Sequence, residues 1–121
     1  MPTPQTKQQT ITLSRVRDLL AADVLCGNDL SGKVEEVGAA DLMSDVLALS
    51  KPGMLLLTGL VSKQVIRTAV VADLCGVVFV RGKKPNDEIL ALAQEARIPV
   101  LSTTLTMFEA AGKLYGVISG R

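Results

Sequence analysis

The chain has 121 residues, the usual size of one domain, and can bury a hydrophobic core without cross-links. Apolar residues make up 48% of the sequence but Phe, Tyr and Trp only 2%, so aliphatic side chains must fill that core. The 13 basic and 12 acidic residues nearly balance, which leaves no large basic face for nucleic acid. This composition favours helices packed on a buried parallel sheet and argues against a nucleic-acid-binding protein.

Residues 1–10 contain two prolines and three glutamines without an apolar pattern, so we expect a disordered tail followed by one domain over residues 11–121. The tail lacks the apolar core of a secretory signal. The longest apolar stretch, Ala69–Val80, is interrupted by polar residues and is too short to cross a bilayer. We therefore expect a cytoplasmic protein that does not associate with membranes, with Cys26 and Cys75 as free thiols.

The first half of the chain predicts one clear helix and three weaker elements. Thr12 is a candidate N-cap for a helix over Leu13–Ala22, in which apolar residues recur at helical spacing. Asp23–Cys26 predicts a short strand, and the loose alternation of Lys33–Val37 predicts another. Asp41–Leu49 predicts a helix that ends before a Pro-Gly pair.

Three segments of the second half are predicted strands: the unbroken apolar runs Met54–Leu57 and Val77–Val80, and Val100–Ser102, in which only the first two residues are apolar. Apolar runs without alternation are typical of strands that are covered on both faces. Helices are predicted between and after them, over Ser62–Leu74, Asn86–Ala96 and Leu105–Leu114. We expect Gly76 to end the first of these helices in a left-handed conformation, and Gly116 to end the last.

The strand-helix unit recurs every 22 or 23 residues, since the three strands begin near residues 54, 77 and 99. Strands separated by helices pair in parallel through right-handed crossovers. The sequence therefore predicts an α/β fold: a single-domain, open, mainly parallel sheet with repeated strand-helix units and helices on both faces. The three strands of the second half should be neighbours in that sheet.

The side chains that usually carry catalysis are scarce. Histidine is absent, which removes the commonest general base and the commonest metal ligand. The carboxylates follow no metal-binding spacing, and no glycine-rich nucleotide fingerprint is present. We therefore expect no catalytic residue, no metal and no cofactor.

Ligands of open parallel sheets bind at the edge formed by the carboxyl ends of the strands. The helix that follows each strand begins there, with unpaired N–H groups and a partial positive charge. Arg81 adds a full charge, so the edge suits a phosphate or carboxylate. Turn and capping requirements alone also place glycines and hydroxyls at strand ends. The candidate ligand-binding residues are Thr58, Gly59, Arg81, Gly82, Thr103 and Thr104.

Five stretches give the chain a family resemblance: Ser44–Ala48, Leu56–Gly59, Gly76–Pro85, Ile98–Thr104 and Thr106–Glu109. From about Leu13 to Gly116 the sequence resembles the DRTGG domain family. The resemblance implies a regulatory α/β domain without catalytic activity, with fold-level similarity to the N-terminal domain of HPr kinase/phosphorylase. Such domains accompany CBS domains in some pyrophosphatases, precede some phosphotransacetylases and also occur alone, and we expect a stand-alone member here.

The residues that give the family its name are mostly replaced. Its Asp-Arg pair aligns with Leu60 and Val61, and of its Thr-Gly-Gly only Gly82 is kept. An apolar pair in a solvent-facing loop would suit a protein contact. Two hypotheses follow: a regulatory domain that senses a nucleotide or other anionic metabolite and acts on a partner enzyme, or a dimeric interaction or assembly module without a small-molecule ligand. Either way we expect a homodimer, the commonest way to cover an apolar patch.

Overall fold

A computed structural model describes residues 10–118, which form two sheets and five helices. The strands are β1 (Ile11–Thr12), β2 (Asp23–Cys26), β3 (Lys33–Val34), β4 (Glu36–Ala39), β5 (Met54–Thr58), β6 (Gly76–Phe79) and β7 (Val100–Ser102). The helices are α1 (Leu13–Leu20), α2 (Met43–Leu49), α3 (Lys63–Val71), α4 (Asp87–Ala96) and α5 (Met107–Ile118). The predicted N-terminal tail falls almost wholly on residues 1–9, outside the described residues.

The main sheet has the strand order β2-β7-β6-β5-β4. Strands β4 to β7 are parallel, which confirms that the three predicted strands of the second half are adjacent and parallel. Strand β2 closes the other edge in antiparallel pairing with β7. The single strand predicted over Lys33–Val37 is wrong: Lys33–Val34 pairs with β1 in a separate two-stranded sheet, and the chain joins the main sheet only at Glu36.

Two hydrophobic clusters cover the two faces of the sheet, because successive side chains of a strand point to opposite faces. Leu56, Val77 and Phe79 face α2, α3 and α4, and all three are fully buried. Leu55, Leu57 and Val78 face α1 and α5. Helices on both faces, as predicted, explain why these strands are apolar without alternation.

Helix α1 is capped as predicted, with Thr12 Oγ1 accepting the N–H of Arg15 at 3.1 Å. Helix α3 ends differently from the prediction. Its left-handed residue is Asp73, with φ 55°, and Gly76 is already the first residue of β6. Aspartate is among the few non-glycine residues that enter this region readily. The turn is held by the N–H of Gly53, which donates to the Asp73 carbonyl at 2.8 Å.

Helix α5 begins later than predicted and runs through Gly116. It starts with a capping box in which the Glu109 N–H donates to Thr106 Oγ1 and the Thr106 N–H donates to Glu109 Oε1. The bond from Thr106 lowers the pKa of the Glu109 carboxyl. The helix continues because Ala110, Leu114 and Ile118 form one buried stripe, whose packing outweighs the cost of about 1 kcal/mol of a helical glycine. None of the helices in residues 10–118 has the length and apolar character needed to cross a membrane.

Candidate functional site

The carboxyl ends of β5, β6 and β7 lie side by side, so the candidate residues meet at one edge of the sheet. Thr58 is paired with Phe79, and Phe79 with Ser102, which puts the last residues of the three strands in one row. We call this row and the loops that follow it the strand-end edge. All six candidate ligand-binding residues lie on it.

Thr58 and Gly59, at the end of β5, are both buried, and both donate hydrogen bonds to Asp41. Asp41 Oδ1 accepts the Gly59 N–H at 2.7 Å and the Thr58 hydroxyl at 3.1 Å. The Thr58 hydroxyl in turn accepts the Leu60 N–H at 3.1 Å. A carboxylate of the protein thus occupies the place where the backbone at the end of β5 would bind an external anion.

Arg81 and Gly82 form the loop after β6, and both have left-handed backbone, with φ 59° and 70°. Their N–H groups donate to the carbonyls of Leu105 and Thr103, each at 2.8 Å, and so tie this loop to the loop after β7. The Arg81 side chain is exposed and belongs to none of the ion pairs within residues 10–118.

The Arg81 guanidinium lies over Gly59. Its Nη2 atom is 3.4 Å from the position that a Cβ on Gly59 would take, and Asp41 Oδ1 is 3.6 Å from the same point. Arg81 and Asp41 therefore flank Gly59 as a cation and a carboxylate acceptor, without forming an ion pair within 4 Å. Such a pair could receive a ligand that carries both an anionic group and a hydroxyl donor.

Thr103 and Thr104, after β7, differ in accessibility. The buried Thr103 hydroxyl donates to the Leu20 carbonyl at 2.7 Å and accepts the Leu105 N–H at 3.2 Å. The Thr103 hydroxyl thereby gives a hydrogen-bond partner to one of the carbonyls at the end of α1, which have none within the helix. Thr104 is exposed. Of the two hydroxyls predicted to meet a ligand here, only that of Thr104 is accessible in this conformation.

Sequence reasoning missed Asp41, which was assigned to the beginning of a helix. The helix begins at Met43, and Asp41 lies in the loop directly after β4. Because β4 is a fourth parallel strand, its carboxyl end reaches the same edge as those of β5 to β7. A parallel strand over Glu36–Ala39 would have placed Asp41 at this edge. The sequence did not predict that strand because the segment is short and contains a glycine.

The apolar pair Leu60-Val61 does not project into solvent as expected. Both side chains are half-buried against the cluster beneath α2, α3 and α4. The next residue, Ser62, precedes α3 at the N-cap position, but its side chain makes no capping hydrogen bond. Its hydroxyl oxygen is buried with no hydrogen-bond partner within residues 10–118.

Comparison with solved structures finds a similar fold in the CBS and DRTGG domains of the regulatory region of Clostridium perfringens pyrophosphatase, a crystal structure complexed with the activator diadenosine tetraphosphate. The TM-score is 0.71 at 21% sequence identity, over 89% of this chain and 46% of the other. The present chain therefore spans about half of that regulatory region. No curated protein matches the sequence.

The family comparison agrees with the resemblance drawn from the sequence. The sequence model of the DRTGG domain family matches residues 15–117, from α1 to the last turns of α5. The match includes all strands of the main sheet and the whole strand-end edge. On this evidence, the chain belongs to the DRTGG domain family.

Proposed function

We propose that this chain is a non-catalytic regulatory domain that binds a nucleotide or another anionic metabolite at the strand-end edge. One observation carries the proposal: the exposed Arg81 guanidinium lies over Gly59, beside the Asp41 carboxylate, where parallel strands end and helices begin. Charge-assisted bonds from such an arginine select phosphate or carboxylate groups. The solved relative, whose regulatory region is complexed with a dinucleotide, supports the nucleotide class of ligand.

The six candidate residues would have three different roles. Arg81 and Thr104 are exposed and would meet a ligand first. The Gly59 N–H and the Thr58 hydroxyl are bonded to Asp41, so an anion would reach them only after Asp41 turns away. Gly82 and Thr103, which are bonded to each other, would hold the Arg81 loop in place rather than contact the ligand. This movement of Asp41 gives the domain a means of passing ligand occupancy to a partner enzyme.

Isothermal titration calorimetry with ATP and with diadenosine tetraphosphate tests the proposal. Arg81→Asn is the informative variant, because asparagine tolerates the left-handed backbone at this position. We expect it to weaken binding about ten- to a hundredfold, the loss of one charge-assisted contact. Arg67→Gln on α3 removes an exposed cation elsewhere and should bind like the parent. Equal affinity of parent and Arg81→Asn would place the ligand elsewhere.

A homodimer that serves as an interaction or assembly module is the second candidate function. Its support is the exposed apolar surface at the end of α3, where Val70 is 52% and Val71 is 76% exposed. Together with Ile66 and Leu92 they line a shallow apolar groove between α3 and α4. Light scattering over a wide concentration range tests this candidate: a dimer that Val71→Asp converts to a monomer supports it, and a monomer throughout rules it out. A cytoplasmic location stays a prediction from the sequence.

A further inference from the structure

Phe108 is an exposed aromatic residue in the first turn of α5. The chain has only three aromatic residues, two Phe and one Tyr. Phe79 is fully buried in the core, whereas Phe108 is 87% and Tyr115 62% exposed. Within residues 10–118, Phe108 is the most exposed of the large apolar side chains. The packing of the domain therefore does not explain an aromatic ring at this position.

Helix α5 begins at the strand-end edge and runs back along the sheet. The helix follows β7, and the Arg81 N–H donates to the Leu105 carbonyl at 2.8 Å, so the segment that leads into α5 lies beside the loop after β6. Further along the helix, Tyr115 lines a groove together with Glu36 and Val37, the first residues of β4. Helix α5 therefore crosses the sheet from the carboxyl end of β7 toward the beginning of β4.

Phe108 lies on the side of α5 nearest β4, at the height of the strand-end edge. Residues seven apart share a helix face, so Phe108 and Tyr115 project on the same side. The two helical turns between them rise about 10 Å, and the residues of β4, Glu36–Ala39, span a similar distance. Because Tyr115 is level with the beginning of β4, Phe108 is level with its end, where Asp41 follows.

Backbone hydrogen bonds hold Phe108 and Arg81 in one connected unit. The capping box of Thr106 and Glu109 encloses Phe108 and orders the first turn of α5. The Arg81 backbone is bonded to the same segment through Leu105. A cation and an aromatic ring that are ordered before binding lose less conformational entropy when one ligand engages both.

We propose, on the basis of the function proposed above, that the Phe108 ring stacks on the base of a nucleotide whose phosphates pair with Arg81. The ligand class of the strand-end edge is then a nucleotide, rather than a phosphorylated metabolite that lacks an aromatic base. Stacking on an aromatic side chain accepts any base, because every base has a π-face. Arg81 selects the charge of the ligand, and Phe108 selects the base.

Isothermal titration calorimetry of the full chain with ATP and with inorganic triphosphate separates the two contacts. We expect Phe108→Ala to weaken ATP binding about tenfold, the contribution of one stacked base, and to leave triphosphate binding unchanged. Tyr115→Ala removes the other exposed ring on the same side of α5 and should change neither affinity. Both side chains are exposed, so both variants should keep the fold, which circular dichroism checks.

Phe108→Trp supplies a second measurement, because the chain contains no tryptophan and the new indole is the only one present. Indole keeps an aromatic face for the base, so the variant should bind ATP at least as tightly as the parent. ATP should quench its emission on stacking, and triphosphate should not. Tyr115→Trp, two turns away, should respond to neither ligand.

The base contact is overturned if Phe108→Ala binds ATP as tightly as the parent, or if ATP leaves the emission of Phe108→Trp unchanged. If Arg81→Asn still weakens ATP binding in that case, the anion site stands and only the base contact is wrong. A parent chain that binds neither ATP nor triphosphate contradicts the base contact together with the function proposed above.

Discussion

Asp41 Oδ1 lies 2.7 Å from the backbone nitrogen of Gly59 and accepts its N–H. The bond joins the loop after β4 to the end of β5 and places a fixed negative charge at the point where a parallel sheet usually receives anions. Arg81 stands across Gly59 from it. The charges of Arg81 and Asp41 thus offset each other, and an anion bound as proposed would compete with a carboxylate of the protein itself.

We expect Asp41→Asn to bind ATP about three- to tenfold more tightly than the parent. Asparagine keeps an oxygen for the Gly59 N–H but removes the charge that opposes the ligand. The same substitution should lower the free energy of unfolding by about 1 kcal/mol, because a charge-assisted bond becomes a neutral one. Calorimetry and urea unfolding measure the two effects. Asp45→Asn, on the exposed surface of α2, is the control, and a loss of affinity in Asp41→Asn would mean that Asp41 contacts the ligand directly.

Thr103→Val should destabilise the domain by about 1–3 kcal/mol. The substitution keeps the shape of the side chain but leaves the Leu20 carbonyl and the Leu105 N–H without their buried partner. Urea unfolding followed by circular dichroism gives the value. Thr104→Val, at an exposed position, should stay within about 0.5 kcal/mol of the parent. Similar values for the two variants would show that the Thr103 hydroxyl does not tie α1 to this loop.

Burial raises the pKa of the Cys75 thiol from its ordinary value of 9.0 to about 11. Between these two values the unfolded chain loses a proton that the folded chain keeps, so the free energy of unfolding falls as the pH rises. Below pH 9 the thiol is protonated in both states, so its contribution to the free energy of unfolding is fully present. By pH 11 we expect that free energy to have fallen by about 2 kcal/mol because of this group. The difference in unfolding free energy between the parent and Cys75→Ser, measured from pH 8 to 11, isolates it. A constant difference would contradict the buried thiol.

Asn86→Ala should cost about 1 kcal/mol, because Asn86 Oδ1 caps α4 by accepting the Ile89 N–H at 2.9 Å. Thermal unfolding measures the loss. Asn86→Ser retains a capping oxygen and should recover most of the stability. If serine does no better than alanine, the effect comes from something other than capping.

The sheet could be predicted because its central strands are buried on both faces and so carry unbroken apolar runs, such as Met54–Leu57. The ends of the helices were harder to predict. Asp73, rather than Gly76, adopts the left-handed conformation after α3, and α5 continues through Gly116 because its apolar stripe is buried. Local propensity gives way in both cases to contacts made by the folded chain.

The sequence predicted that the candidate residues share one edge of the sheet, but it did not predict the contacts that they make there. Parallel pairing alone brings Thr58, Arg81 and Thr103 to one edge, and pairing could be inferred from the order of strands and helices. Which hydroxyls point inward depends on their tertiary partners, such as the Leu20 carbonyl for Thr103. Asp41 reaches the site only because β4 joins the sheet, and Glu36–Ala39 has too few apolar residues to predict that strand.

The central claim, that an anionic ligand binds beside Arg81, is tested most directly by titrating the ¹⁵N-labelled chain with ATP. We predict saturating shifts of the Gly59, Arg81, Gly82 and Thr104 amides, with a Kd below about 1 mM. The Gly59 amide should move furthest, because its N–H exchanges the Asp41 carboxylate for the ligand. No shifts up to about 10 mM ATP, or shifts confined to residues away from the strand-end edge, would contradict the account.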